Sequence, residues 1–166
     1  MGSMFSGCTS LKSLNITQNV DDMRYMFCHC ESLETLDLSN FNTKNLTNMY
    51  GMFSHCKSLK SLNLSNFNTE NITSMGEMFY GCESLKSLDL NNFNTENVTD
   101  MHSMFKGCKS LKSLDLTNFD TEKVTDMHSI FEGCKYLKKK SFFFSKNKNN
   151  VICKDPRIIE ELENNY

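Results

Sequence analysis

Residues Leu85 to Ser110 read LKSLDLNNFNTENVTDMHSMFKGCKS, and nearly the same text recurs along the chain every 26 residues. Cys30, Cys56, Cys82, Cys108 and Cys134 keep the beat, as do Phe53, Phe79, Phe105 and Phe131. A period between 20 and 29 residues that carries L-x-x-L-x-L is the pattern of a leucine-rich repeat, where each unit is one coil of a solenoid. The fold class expected is therefore α/β: a right-handed leucine-rich-repeat solenoid with parallel strands on one face and short helices or 3₁₀ turns on the other.

Within this unit, Leu88 and Leu90 alternate with Asp89, the period of a strand with one buried side. Asn91-Asn92 turns the chain and Phe93 returns to the interior, with Val98 leading towards the opposite side. Met101, Met104, Phe105 and Cys108 follow at i, i+3, i+4 and i+7, which predicts one face of a short helix. Thr99 is placed to cap that helix and Asp100 to sit in its first turn. Gly107, with Gly7, Gly81 and Gly133 at the same place, suits a left-handed residue after the helix. His29 and His55 take that place in two coils, and histidine tolerates positive φ better than most residues. A single coil cannot bury enough apolar surface to offset the entropy of ordering it, so the units must stack.

The ends depart from the pattern. Cys8 and Cys30 are 22 residues apart, and the segment Thr17 to Asp22 lacks the Phe and Asn-Thr of later coils. Met1 occupies the repeat position of Met101, so the chain is expected to begin partway through a coil, as a piece of a longer array. Residues 1–137 form the expected solenoid of about five coils, and 138–166 a C-terminal cap. In that cap, residues 137 to 153 predict an edge strand guarded by Lys138, Lys139 and Lys140. Asp155-Pro156 then opens a final helix bearing Ile158, Ile159 and Leu162.

The run DLSNFNTKNLTNM, followed by MFSHCKSL, resembles the BspA-like leucine-rich repeat surface proteins. It is closest to their mycoplasma-lipoprotein-type repeat, L-x-x-L-D-L-S-x-F-[DN]-T-x-x-V-T-x-M-x-x-M-F-x-G-C. The resemblance covers residues 1 to about 137. It implies a non-enzymatic module, often on the cell surface, associated with adhesion and protein binding.

A formal net charge of −2 gives no single-signed field for nucleic acid. No run of 18 apolar residues suggests a membrane span, and no basic-then-apolar leader opens the chain. No cofactor is expected, and no nucleophile, base and orienting acid recur together, so no catalytic site is expected either. The cysteine file reads as buried thiols rather than disulfides. Cys28 falls on a variable position and is expected to be exposed; Cys28-His29-Cys30 lacks the C-x-x-C pair of a zinc site. His102 and His128 share one repeat position and read as solvated surface histidines rather than a metal or pH-sensing pair. Asn15, Asn45, Asn63, Asn71 and Asn97 open N-x-[ST] triplets that serve turns and caps, with glycan attachment as the alternative reading.

The best candidate for binding is the outward, expectedly concave side of the strands. Thr35 with Asp37, Ser61 with Asn63, Ser87 with Asp89, and Ser113 with Asp115 predict two polar rows, bordered by Lys60, Lys86 and Lys112. Extended faces of this kind are the usual binding surfaces of solenoids, and without clustered aromatics they act through repeated polar contacts. The expected partner is a protein or a glycan. The expected setting is the cell surface or the secreted space, with an intracellular scaffold in the cytoplasm as the alternative.

Overall fold

The computed structural model describes residues 2–12, 14, 20–137 and 142–144. The 26-residue units stack as rungs of a solenoid. Rings at equivalent positions lie face to face in single file: Phe5–Phe27 at 5.5 Å, Phe27–Phe53 at 5.6 Å, Phe53–Phe79 at 5.7 Å, Phe79–Phe105 at 5.7 Å and Phe105–Phe131 at 5.6 Å. Their planes are tilted by no more than 9°. Each inward residue of the Leu85 unit is buried: Leu85, Leu88, Leu90, Phe93, Val98, Met101, Met104, Phe105 and Cys108. Their equivalents extend one continuous core from Val20 to Leu137, with Phe5, Cys8, Leu11 and Leu14 packed against its near end.

Short parallel strands mark one face. β1 (Thr35–Asp37) pairs with β2 (Ser61–Asn63), Thr35 opposite Ser61 and Asp37 opposite Asn63. β3 (Leu114–Leu116) pairs with β4 (Phe142–Phe144), Leu114 opposite Phe142. The edge strand expected beyond Leu137 is thus present at 142–144, while Lys138 to Lys140 and the helix after Asp155 lie outside the described residues. The strand expected at Leu88–Leu90 is not formed as a paired rung, so the sheet is interrupted between β2 and β3.

The opposite face is a correction: no helix is present among the described residues. An α-helix needs each N–H to reach the carbonyl four residues back. Here alternate amides leave the coil altogether. Met49, Gly51, Phe53 and His55 donate to the carbonyls of Ser74, Gly76, Met78 and Tyr80 in the next coil at 2.6–3.1 Å. The amides between them, Met52, Ser54 and Cys56, donate three residues back, to Met49, Gly51 and Phe53. Isolated parallel bridges, Asn48 to Ser74, Ser74 to Asp100 and Asp100 to Asp126, open this stack of turns.

Two left-handed residues per coil, four apart, close the turns. Gly107 and its equivalents take φ near 70°, and His29 and His55 take 60°, as their residue types suggested. The second position, Tyr25, Gly51, Glu77, Ser103 and Ser129 at φ 53–59°, holds glycine in only one of these five coils and so is not marked by residue type. Spacing of i, i+3, i+4 and i+7 describes this turn stack as well as it describes a helix, so the spacing alone does not separate the two. Thr99 is likewise no helix cap: its hydroxyl donates to the Thr73 carbonyl at 3.2 Å, and Thr125 donates to Thr99 at 3.0 Å.

Side chains complete the stack wherever the backbone leaves a group over. Buried Thr95 accepts from the Asp120 amide at 2.7 Å and donates to the Asp120 carbonyl at 3.0 Å; Thr69 treats Asn94 the same way. Asn118 donates to the carbonyls of Leu90, Asn91 and Phe93 in the preceding coil. The cysteines work similarly. Cys56, Cys82, Cys108 and Cys134 donate to the carbonyls of Phe27, Phe53, Phe79 and Phe105 at 3.0–3.2 Å. A thiol is a compact apolar group with one weak donor, which this position requires. No buried side-chain N or O among the described residues lacks a partner.

Two predictions concern this core. Truncating Phe79 to Ala removes one ring from the middle of the file and should cost about 3–5 kcal/mol of unfolding free energy in urea titration, whereas exposed Lys86→Ala should have little effect. Burial also pushes the thiols up from their ordinary value of 9.0, Cys30 to about 11 and Cys134 to about 12. A raised native value means the unfolded chain loses these protons first. Stability should therefore be level below about pH 9 and decline as pH rises towards 11, seen as a falling urea midpoint.

Candidate functional site

The strand face carries the two polar rows in the expected places. Thr35, Asp37, Ser61, Asn63, Ser87, Asp89, Ser113 and Asp115 are all exposed on it. The acidic and amide residues of the second row have a structural task as well. Asp37, Asn63, Asp89 and Asp115 each accept, through Oδ1, the backbone N–H two residues on: Ser39, Ser65, Asn91 and Thr117, at 2.9–3.1 Å. These side chains close the turn at the end of each strand segment. That bond holds the Asp37 carboxyl below the usual carboxylate range. One oxygen of each side chain is thus committed to the backbone, and each aspartate keeps a second carboxylate oxygen beyond that bond.

Where the sheet is interrupted the face opens into a cleft of about 250 Å³, lined by Ser87, Leu88, Asp89, Leu90, Asn91, Ser113 and Asp115. Four of the residues singled out from the sequence, Ser87, Asp89, Ser113 and Asp115, meet there. Thr35, Asp37, Ser61 and Asn63 lie on the paired strands β1 and β2 and do not line it. Leu88, Leu90 and Asn91 were not anticipated as lining. Nothing in the repeat text distinguishes the two leucines from their equivalents in other coils, while Asn91 stands where the other coils have Ser39, Ser65 and Thr117.

One account of the opening, which a charge reversal tests, lies in the bordering row. Glu34 stands opposite Lys60 and pairs with it at 2.7 Å, and their coils carry the paired strands β1 and β2. Further along, Lys60, Lys86 and Lys112 occupy the same position in successive coils. Like charges on adjacent rungs oppose pairing. The Lys112 amide still reaches the Lys86 carbonyl at 3.3 Å, longer than the 2.8 Å between the Lys60 amide and the Glu34 carbonyl. Elsewhere, ion pairs between neighbouring coils alternate in sign, as in Lys57–Glu31 at 2.8 Å and Lys109–Glu83 at 2.9 Å.

Other residues weighed from the sequence fall differently. Cys28 is buried, 7% exposed, against expectation, and burial pushes its thiol up. The sequence places it at a variable position, and exposure there follows the side chain: Cys28 and Ser54 are buried, Tyr80 and Lys106 half-buried and Glu132 exposed. Its thiol, like those of the cysteine file, is held in the protonated form, the reverse of an activated nucleophile. His102 and His128 stack at 5.0 Å, but only His128 is solvated; the His102 side chain is 19% exposed. Asp100, His102 and Asp126 are the one group among the described residues whose donors could gather round a metal ion. Asn97 of the N-x-[ST] triplets is exposed, yet donates to the Glu70 carbonyl at 2.9 Å and accepts from Lys123 at 2.8 Å. No helix of the described residues is long and apolar enough to cross a membrane.

With the repeated coil and its two faces established, the sequence comparison becomes decisive. The family described as "Mycoplasma protein of unknown function, DUF285" matches residues 1–109 and again residues 60–153. The chain belongs to this family of BspA-like repeat proteins. Neither the curated proteins nor the solved structures gave a match. For this DUF285 chain the family supplies the repeat and no activity, so function must be argued from the faces themselves.

Reversing one charge tests the account of the cleft. Lys86→Glu should place an acid between Lys60 and Lys112, draw the three coils together and slow hydrogen exchange at residues 87–89. A cleft due to other causes would leave exchange at those amides unchanged.

Proposed function

We propose that this chain is a non-catalytic, right-handed solenoid module that binds protein or glycan through its strand face, as part of a cell-surface adhesion protein. The observation that carries the reading is the cleft at Ser87–Asn91. It joins two serine hydroxyls and the carboxylates of Asp89 and Asp115 to an apolar floor of Leu88 and Leu90. Such a floor with converging polar groups is the usual character of a ligand site. Carboxylates and hydroxyls in rows suit the hydroxyls of a sugar or the amides and basic side chains of a peptide. The rows continue onto β1 and β2, so a long ligand gains by repetition, with each further contact made at high effective concentration.

The thiol file favours a second reading, an intracellular scaffold using the same face. Among the described residues seven cysteines are free thiols, and most are tied to backbone carbonyls within the core. Chains held in oxidising compartments more often use cysteines as disulfides. Protease shaving of intact cells separates the two settings: surface display releases peptides of this chain, and a cytosolic scaffold is protected.

Binding itself is tested with the purified chain on a glycan array and a panel of immobilised extracellular-matrix proteins. The double substitution Asp89→Lys and Asp115→Lys should abolish or weaken retention about tenfold or more, with the thermal midpoint checked for each variant. Retention unchanged by the substitution would move the site off the strand face.

A further inference from the structure

The turn face carries a group that the repeat does not require. At its first bridge position stand Asn48, Ser74, Asp100 and Asp126, and two residues later Tyr50, Gly76, His102 and His128. The fold needs only an acceptor at the first position, to take the backbone N–H two residues on. Neutral Asn48 does this for Tyr50 at 2.8 Å. In the last two coils the same task falls to carboxylates, Asp100 for His102 and Asp126 for His128, both at 3.1 Å. Their charge, and the imidazoles beside them, are surplus to turn closure.

The arrangement gathers that surplus in one place. Asp100 and Asp126 are parallel bridge partners on adjacent rungs, which sets two carboxylates side by side. Each lies against its own imidazole: Asp100 Oδ1 is 2.7 Å from His102 Nδ1, and Asp126 Oδ1 is 2.6 Å from His128 Nδ1. Ser74 Oγ donates to Asp100 Oδ2 at 2.8 Å. From the coil before, Glu77 Oε1 approaches His102 Nε2 to 3.7 Å. Three acids therefore surround two histidines.

Gly76 makes the space. A Cβ at this buried position would meet Asp100 Oδ2 at 2.8 Å and His102 Nδ1 and Cε1 at 3.0 Å. Without one, the Tyr50 hydroxyl reaches across a whole coil to within 3.2 Å of His102 Nε2. The result is a half-buried cluster in which Tyr50 and Glu77 flank His102, with Asp100, His102 and Asp126 offering one donor atom each within 4.8 Å of one another.

We propose that Asp100, His102 and Asp126 bind a divalent transition-metal ion, which fastens the turns of the last two coils together. One imidazole and two carboxylates form a donor set suited to zinc, cobalt or nickel. Ligand atoms of a tetrahedral zinc lie about 2.0–2.2 Å from the ion, so the three donors must draw in from their present spread. A cation also removes the repulsion between carboxylates on neighbouring rungs. Glu77 and His128 flank the site and orient the ligands.

The test is titration of the purified chain with Co²⁺ and Zn²⁺, followed by calorimetry, visible absorption and thermal melting. Saturable binding of one ion per chain is expected, with cobalt d–d bands, no sulfur-to-cobalt charge-transfer band, and a raised thermal midpoint. Ca²⁺ and Mg²⁺ should not reproduce the rise. His102→Ala and Asp126→Asn should each weaken binding about tenfold or more. Gly76→Ala, which crowds the Asp100 and His102 side chains at a position with ordinary backbone angles, should weaken it while the coil stays folded. The pair His29→Ala and His55→Ala removes the other stacked histidines, 4.6 Å apart, and should leave binding unchanged. No saturable binding, a thiolate band, or affinity indifferent to His102→Ala and Asp126→Asn would each overturn the proposal.

Discussion

The structure depends on a division of labour among backbone amides on the turn face. Every second N–H, as at Met75, Glu77, Phe79 and Gly81, donates to the next coil, and the intervening ones turn the chain back on itself. The first set binds rung to rung and the second keeps each rung compact. Two left-handed residues per coil accompany this alternation. The identical text of the coils follows from that geometry. A residue that fits one rung fits all, and phenylalanine rings 5.5–5.7 Å apart stack only when their backbones are superposable.

Much of this was legible in the letters, and the rest was hidden for definite reasons. Period and inward set could be read directly, because apolar residues at Leu85, Leu88, Leu90, Phe93, Val98, Met101, Met104, Phe105 and Cys108 have no alternative explanation. The left-handed site at Gly107 showed itself through glycine. The second, at Ser103 and Glu77, did not, since its φ of 53° is set by intercoil bonds and not by residue type. Without that position the Met-x-x-Met-Phe spacing reads as helix, and helix was the wrong answer. Cys28 differs for a related reason: its position borders solvent, where the long Lys106 and Glu132 reach out while the short Cys28 and Ser54 stay covered.

On the candidate site the sequence located the rows and missed the cleft. Ser87, Asp89, Ser113 and Asp115 follow from strand alternation, a local property. The opening between coils is not local. It turns on what stands one coil away, Glu34 against Lys60 in one case and Lys60 against Lys86 in the next. A single unit read by itself holds no trace of this. The same holds at the turn face, where Tyr50 meets His102 from 52 residues away because Gly76 lies between them.

The two faces tolerate different kinds of departure from the repeat, and this asymmetry shapes where function can arise. On the strand side, pairing is lost at Leu88–Leu90 while the stack remains in register. Between the same two coils, the turn face keeps its bonds from Met75, Glu77, Phe79 and Gly81 to Asp100, His102, Met104 and Lys106, at 2.7–2.9 Å. Thr69 adds its pair of bonds to Asn94, and Asn97 reaches the Glu70 carbonyl. The strand face is therefore relieved of holding the array together, and charge there can vary until a rung opens. The turn face has no such freedom in its backbone, only in the side chains that project from it. Change there takes the form of substituted side chains on a fixed frame, as where Asn48 and Tyr50 give way to Asp126 and His128. One face alters by opening and the other by exchanging side chains, so a near-identical repeat carries two unlike surfaces.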